Sequence, residues 1–156
     1  LPESLYEKFG VAFNEEVRRR GQRARLLTVT NPESIYLAGT FARLVENSFF
    51  VFLKRDRFDN TLRCLQKKYD IGHYYSYDPG ECSKYIDWNN SMADLWARKI
   101  GRRAFVIEYD ELIESSDRQL DRLSDMIEID LTSDGSSLGD DRGCARPYMS
   151  YLGKII

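Results

Sequence analysis

Apolar positions recur at helical spacing in the first segment, Pro2 to Arg20, where Leu5, Phe9, Ala12, Phe13 and Val17 share one face. The basic run Arg18-Arg19-Arg20 and Gly21 mark its end. Arg25 to Val29 reads as a short apolar strand. In Thr30-Asn31-Pro32-Glu33-Ser34, Asn31 suits a cap and Pro32 the first helical position, which predicts a helix from Ile35 to Val45. Ser48 to Lys54 is the strongest strand, apolar on both faces as a central strand between helices should be. It stops at Arg55-Asp56-Arg57-Phe58, and Asp59 is the predicted cap of a helix from Asn60 to Lys68. Tyr74 to Gly80 is a polar, aromatic loop. A long helix from Glu81 to Ile100 carries a stripe of Tyr85, Trp88, Met92, Leu95 and Trp96, read as core. Ala104 to Glu108 is a further strand. Ser116-Asp117-Arg118-Gln119 has capping-box spacing and opens a helix with Leu120, Leu123, Met126 and Ile127 inward. Thr132 to Arg146 is rich in Gly, Ser and Asp and is expected to be a mobile loop. There is no internal repeat and no low-complexity tract.

Strands that alternate with helices predict an α/β fold, a parallel sheet with helices on both faces in three layers. Three predicted strands are few for such a sheet, and the chain opens Leu-Pro-Glu without methionine. Residues 1–156 are therefore expected to be the carboxy-terminal part of one domain, incomplete at its amino terminus.

Composition narrows the class. A length of 156 residues suits one domain, and 42% hydrophobic with 13% aromatic residues exclude a disordered chain. The longest apolar run, Ser48 to Leu53, is far short of the roughly 20 residues of a membrane span. No signal peptide opens the sequence. Cys64, Cys82 and Cys144 form no even framework, and with His73 the lone histidine no structural zinc or other metal site is expected. A reduced, cytoplasmic protein is the expectation.

Charge changes the picture more. The chain has 23 basic and 25 acidic residues; Glu108 to Asp141 holds 2 and 12 of them, so the remainder has 21 and 13, a net +8. That basic part suits an anionic ligand. A pI near 5.5 argues against nucleic acid, and no specific nucleic-acid binding is expected.

Ligands of open α/β sheets sit beyond the carboxyl ends of the strands. Arg55 and Arg57 follow a strand directly and precede a helix start, whose unpaired N–H groups and positive dipole end suit a phosphate or sulfate. Arginine adds a planar fork for the same oxygens. Arg63 lies four residues beyond Asp59 and points at the same place if the helix forms as predicted. The competing reading pairs these arginines with Asp56, Asp59 or the acidic third of the chain. Tyr74, Tyr75 and Tyr77 suit an acceptor pocket or simple packing on the sheet. Arg18 to Arg25 reads as a solvated helix end.

Residues Val51 to Leu62, with Arg55-Asp56-Arg57-Phe58-Asp59 at their centre, resemble the Arg-Asp-Pro-Arg-Asp segment of sulfotransferases. Gly72-His73-Tyr74-Tyr75-Ser76-Tyr77-Asp78 is similar to the Gly-His-x-Tyr-Ser-Tyr-Asp stretch of bacterial members often fused to tetratricopeptide repeats. Tyr85 and Trp96 fall where those proteins have a Tyr and a Trp on the following helix. Glu108-Tyr109-Asp110-Glu111-Leu112 resembles their Tyr-Glu-Asp-Leu motif, Asn31-Pro32 the Lys-Met-Pro segment and Gly153-Lys154 the terminal Gly-Arg-Trp.

The resemblance implies a P-loop NTPase-like fold and transfer of a sulfuryl group from 3′-phosphoadenosine 5′-phosphosulfate to an acceptor hydroxyl or amine. It implies Arg55 on the cofactor's 3′-phosphate, Tyr109 near the adenine, and Arg146 and Lys154 near a second, carboxy-terminal clamp on that phosphate. There are departures. Arg63 stands where the family has a phosphate-binding serine, Arg57 replaces a proline, Thr30 a lysine and Ile155 a tryptophan. A glycine-rich loop for the 5′-phosphosulfate is absent from the 156 residues. His73 is the only histidine available as a general base.

The expected function is thus that of a sulfotransferase, this chain carrying the 3′-phosphate half of the site, with a small-molecule, glycan or peptide acceptor and with repeats or a further domain upstream. The alternative is a non-catalytic binding or interaction module derived from that family, which Thr30 and Arg63 favour.

Overall fold

Two short strands, β1 (Phe50–Lys54) and β2 (Ala104–Glu108), pair in parallel, with Phe50 opposite Ala104 and Lys54 opposite Glu108. The fold is seen in a computed structural model that describes residues 8, 11–12, 14–16, 18–19, 26, 28–67, 69, 72–132, 139–140 and 142–155. A parallel pair needs a long crossover, and here it is helical. Helix α1 (Ala38–Leu44) precedes β1; α2 (Arg57–Gln66) and α3 (Pro79–Ile100) lie between the strands. After β2 come α4 (Tyr109–Glu114), α5 (Ser116–Ile127) and α6 (Met149–Ile155). The mixed helix and strand order agrees with an α/β class.

The strand residues Phe50, Phe52 and Lys54 face α3, because Lys54 Nζ reaches Asp94 of that helix at 3.1 Å and Glu108 at 3.2 Å. On the opposite face α5 reaches β2, where the Arg122 guanidinium lies 4.5 Å from the centre of the Phe105 ring. Phe105, Ile107, Ile86, Ala93, Cys82 and Ile127 form the buried apolar core with Ala38, Ala145 and Leu152.

Several expectations need correction. The predicted strand at Arg25 to Val29 does not form in its described residues Leu26, Thr28 and Val29, so the sheet has two strands among the described residues. Among the described residues no strand pairs with them, and Val29 is exposed. The strand at Ser48–Lys54 is half-buried on one face and open on the other: Val51 and Leu53 are 46% and 56% exposed, since α5 lies over β2 and leaves that side of β1 open. The helix predicted from Ile35 begins as a 3-10 turn, Pro32–Leu37, capped by Asn31, whose side chain accepts from Glu33 N–H at 3.0 Å. The cap of α2 is Asp56, not Asp59: its carboxylate takes the Phe58 and Asp59 N–H groups, both at 2.9 Å. Helix α3 starts two residues before the predicted Glu81, because Asp78 caps it and Pro79 opens it. The capping box at Ser116 is not formed; Gln119 is buried and accepts from Arg122 at 2.9 Å.

The described residues between 8 and 19 are helical as the periodicity predicts. Leu5, Phe9, Phe13 and Val17 lie outside the described residues, as do residues 133–138 and 141 of the expected mobile loop. Among the described residues, no helix is long and apolar enough to cross a membrane, and no cluster of His, Cys, Asp and Glu is suited to a metal ion.

Candidate active site at the strand ends

The parallel register places the residues that follow Lys54 and Glu108 side by side. Arg55 and Tyr109 are those residues, and the Arg55 guanidinium carbon lies 4.5 Å from the centre of the Tyr109 ring. The two positions for which the resemblance implies a phosphate and an adenine are therefore in contact at the carboxyl end of the sheet. The Tyr109 hydroxyl donates to Gly139 O at 2.7 Å and ties the segment after α5 to the same place.

The turn at residues 142–146 completes the arrangement. Asp59, on the inner side of α2, is 6% exposed. Its carboxylate accepts from Gly143 N–H at 2.6 Å and Ala145 N–H at 2.7 Å. Gly143 has a φ of 68°, and Arg146 folds back over it so closely that a Cβ there would lie 2.7 Å from Nε. Arg55 donates toward Cys144 Sγ at 3.9 Å. Burial and Asp59 push the Cys144 thiol up, against the opposing charges of Arg55 and Arg63. Arg55 and Arg146 thus flank one turn that the buried carboxylate of Asp59 holds, while Arg63, exposed on α2, lines a separate cleft with Cys64, Lys67 and Tyr69. That donor set suits a phosphate.

Other candidates separate from this cluster. The N–H groups at the start of α2 are not open to an anion, because Asp56 already accepts from them. Arg57 turns away and pairs with Asp87 of α3 at 3.2 Å. Its partner is none of the acids that the sequence suggested. Lys154 is exposed on α6 and does not line the cavity of about 590 Å³ beside the turn. That cavity carries Asp56, Asp59, Asp110, Glu114 and Asp140 against Arg142 and Arg146, so its outer part repels phosphate. Arg142 is held there by Asp140 at 2.9 Å and Glu114 at 2.7 Å.

His73 belongs to a different neighbourhood. Its Nδ1 lies 3.4 Å from the Tyr75 hydroxyl, and its ring sits between those of Tyr69 and Tyr75. Tyr75 stacks on Tyr85 at 3.9 Å, Tyr85 on Trp88 at 6.0 Å and Trp88 on Tyr36 at 4.9 Å. The predicted helix stripe is therefore in part an aromatic stack at the protein surface rather than deep core. Tyr77 donates to Tyr69 O at 3.0 Å, while Tyr74 is 72% exposed. Thr30 is exposed in the segment before the Pro32 turn. One functional-looking residue escaped the sequence reading: Asp59 as the anchor of the 142–146 turn. It has no local signal for that role, since its partners are remote in sequence.

Arg55 and Tyr109 thus meet at the carboxyl end of a small parallel sheet, the region where open α/β sheets bind their ligands. A family model described as Sulfotransferase family matches residues 2–134, and the chain belongs to that family. Arg55, Arg63 and Tyr109 fall within the match; the 142–146 turn and Lys154 lie beyond it. No curated protein and no solved structure matches the chain.

Proposed function

We propose that the protein is a sulfotransferase that uses 3′-phosphoadenosine 5′-phosphosulfate, and that this chain holds the 3′-phosphoadenosine side of the donor. The contact between Arg55 and Tyr109 carries the reading. Arg55 would hold the 3′-phosphate with help from Arg63 and Arg146, and Tyr109 would lie against the adenine. When bound, the donor supplies the activated sulfuryl group. The chain's own part is to fix the nucleotide and orient it toward an acceptor hydroxyl or amine, where positioning and charge do most of the work. The two parallel strands and their helices would then be part of a P-loop-like sheet. Lys154 and His73 have less support: one is outside the cavity, and the other sits in the aromatic stack.

The test is calorimetric titration with adenosine 3′,5′-bisphosphate. Arg55→Ala is expected to weaken binding by roughly tenfold or more, the worth of about 1.5–3 kcal/mol for a charged hydrogen bond. Arg57→Ala is expected to leave it unchanged. No binding by the parent protein, or equal losses in the two variants, would sink the reading.

A second reading is a binding module without transferase activity, favoured by Thr30 in place of the family's lysine. Bisphosphate binding without bisphosphate release from the phosphosulfate, across hydroxyl and amine acceptors, would select it.

A further inference from the structure

The last rung of the ladder between β1 and β2 joins Lys54 to Glu108, and Arg55 and Tyr109 stand one residue beyond it. The end of a ladder is where pairing frays first. Side chains tie this end together. Lys54 Nζ lies 3.2 Å from Glu108 Oε1 across the rung. It also lies 3.1 Å and 3.2 Å from the two carboxylate oxygens of Asp94 on α3. The Lys54 side chain is only 19% exposed, so these bonds are screened less than those of a surface pair. One ammonium thus joins the ends of both strands to the helix beneath them. Side chains alternate along a strand, so the next residue turns the other way. There Arg55 meets the Tyr109 ring at 4.5 Å and reaches toward Cys144.

We propose, on the reading of Arg55 and Tyr109 as the donor's contacts, that Lys54 is a positioning residue for the nucleotide site. By binding Glu108 and Asp94 on the α3 side, it fixes the strand ends so that Arg55 and Tyr109 meet on the other. Without the ammonium, two carboxylates that converge on one point are left facing each other, and their repulsion opens the last rung. Without the Glu108 carboxylate, Lys54 keeps Asp94 and lets go of β2. The contact beyond the rung has little slack, since the attraction of a guanidinium for a ring is confined to about 6 Å from its centre.

A role through charge alone has a different signature. Lys54→Met removes a positive charge near the anion site, and Glu108→Leu removes a negative one. Electrostatics would weaken nucleotide binding in the first and strengthen it in the second. Positioning weakens it in both.

The experiment reads the contact and the binding separately. The Tyr109 ring current shifts the Arg55 Nε–H resonance in the NMR spectrum, Arg55→Lys assigns that resonance, and Tyr109→Leu gives its place without the ring. In Lys54→Met and in Glu108→Leu it should move most of the way to the Tyr109→Leu position, and Lys54→Arg should restore much of the parent shift. Arg103→Ala cuts bonds at the opposite end of β2, so it should lower stability and leave the resonance in place. Titration of the same proteins with adenosine 3′,5′-bisphosphate should show several-fold weaker binding in Lys54→Met and in Glu108→Leu. If Lys54→Met does not fold, Glu108→Leu carries both measurements. A parent-like resonance in either variant, tighter binding in Glu108→Leu, or an equal shift in Arg103→Ala would overturn the proposal. A lost ring shift in the variants, with no bisphosphate bound by the parent, would uphold the positioning of Arg55 against Tyr109 and sink the nucleotide reading instead.

Discussion

The carboxylate of Asp59 receives the backbone N–H of Gly143 at 2.6 Å across 84 positions of sequence, and with it the whole turn from 142 to 146. The other oxygen takes Ala145 N–H at 2.7 Å, so one side chain on α2 decides where Cys144 and Arg146 stand relative to Arg55.

Removing that carboxylate should therefore cost both stability and the site. Asp59→Asn leaves one amide oxygen to accept and sets an NH₂ group against a backbone donor. A loss of about 1–3 kcal/mol is expected, the cost of a buried donor left unsatisfied. Urea denaturation reads the stability, and calorimetry with adenosine 3′,5′-bisphosphate reads the site. Arg63→Ala should weaken binding with far less effect on stability, since Arg63 is exposed.

Arg103 ties the end of α1 to the start of β2. Its guanidinium donates to Ala42 O at 2.6 Å, a carbonyl of the last turn that the helix end leaves without an internal partner, and to Glu46 O at 2.9 Å and Val45 O at 3.2 Å just beyond it. Arg103→Ala should lower stability by about 1.5–3 kcal/mol, which for a chain of this size is a drop in Tm of roughly 3–12 °C. Arg102→Ala, at the exposed neighbour, should stay within about 0.5 kcal/mol of the parent. Equal effects in the two would remove the capping explanation.

Gly39 lies within α1, where alanine would ordinarily stabilise by about 0.5–1 kcal/mol. Here a Cβ would meet Trp96 Cη2 and Cζ3 at about 2.4–2.5 Å. The steric effect should win, with a net destabilisation of about 1–3 kcal/mol for Gly39→Ala. In a Trp96→Leu background the same change should cost much less, and a thermal-melt double-mutant cycle measures the coupling.

Asp140 supplies a pH test. The Arg142 side chain and backbone hold its carboxylate well below the ordinary aspartate range, to about 2. A depressed acid stabilises the fold above its unfolded value, and the contribution disappears as pH falls from about 4 through about 2. Carboxyl NMR titration of Asp140 should show the low midpoint, moving up toward the ordinary value in Arg142→Gln. The pair is exposed, so about 1 M salt should move the midpoint upward as well. An unchanged midpoint in the variant would remove Arg142 as the cause.

What the sequence determined by itself was local. The β2 segment Ala104–Glu108 was legible end to end, and so was most of β1, because strand composition and abrupt charged stops are read within a few residues. Asn31 marks its turn by a side chain that reaches only the N–H two residues on. Family membership was legible for a similar reason: short ordered motifs survive as strings. The tertiary structure decided the rest. Asp56 and Asp59 are equally good caps on paper; only the arrival of Gly143 and Ala145 turned Asp59 inward and left the helix start to Asp56. Arg55 and Arg57 look alike in the sequence, yet β2 brings Tyr109 to one and α3 brings Asp87 to the other. The Arg103 anchor exists only because elements pack across long separations. Such partners are chosen by the burial of whole faces, which no spacing within a segment records.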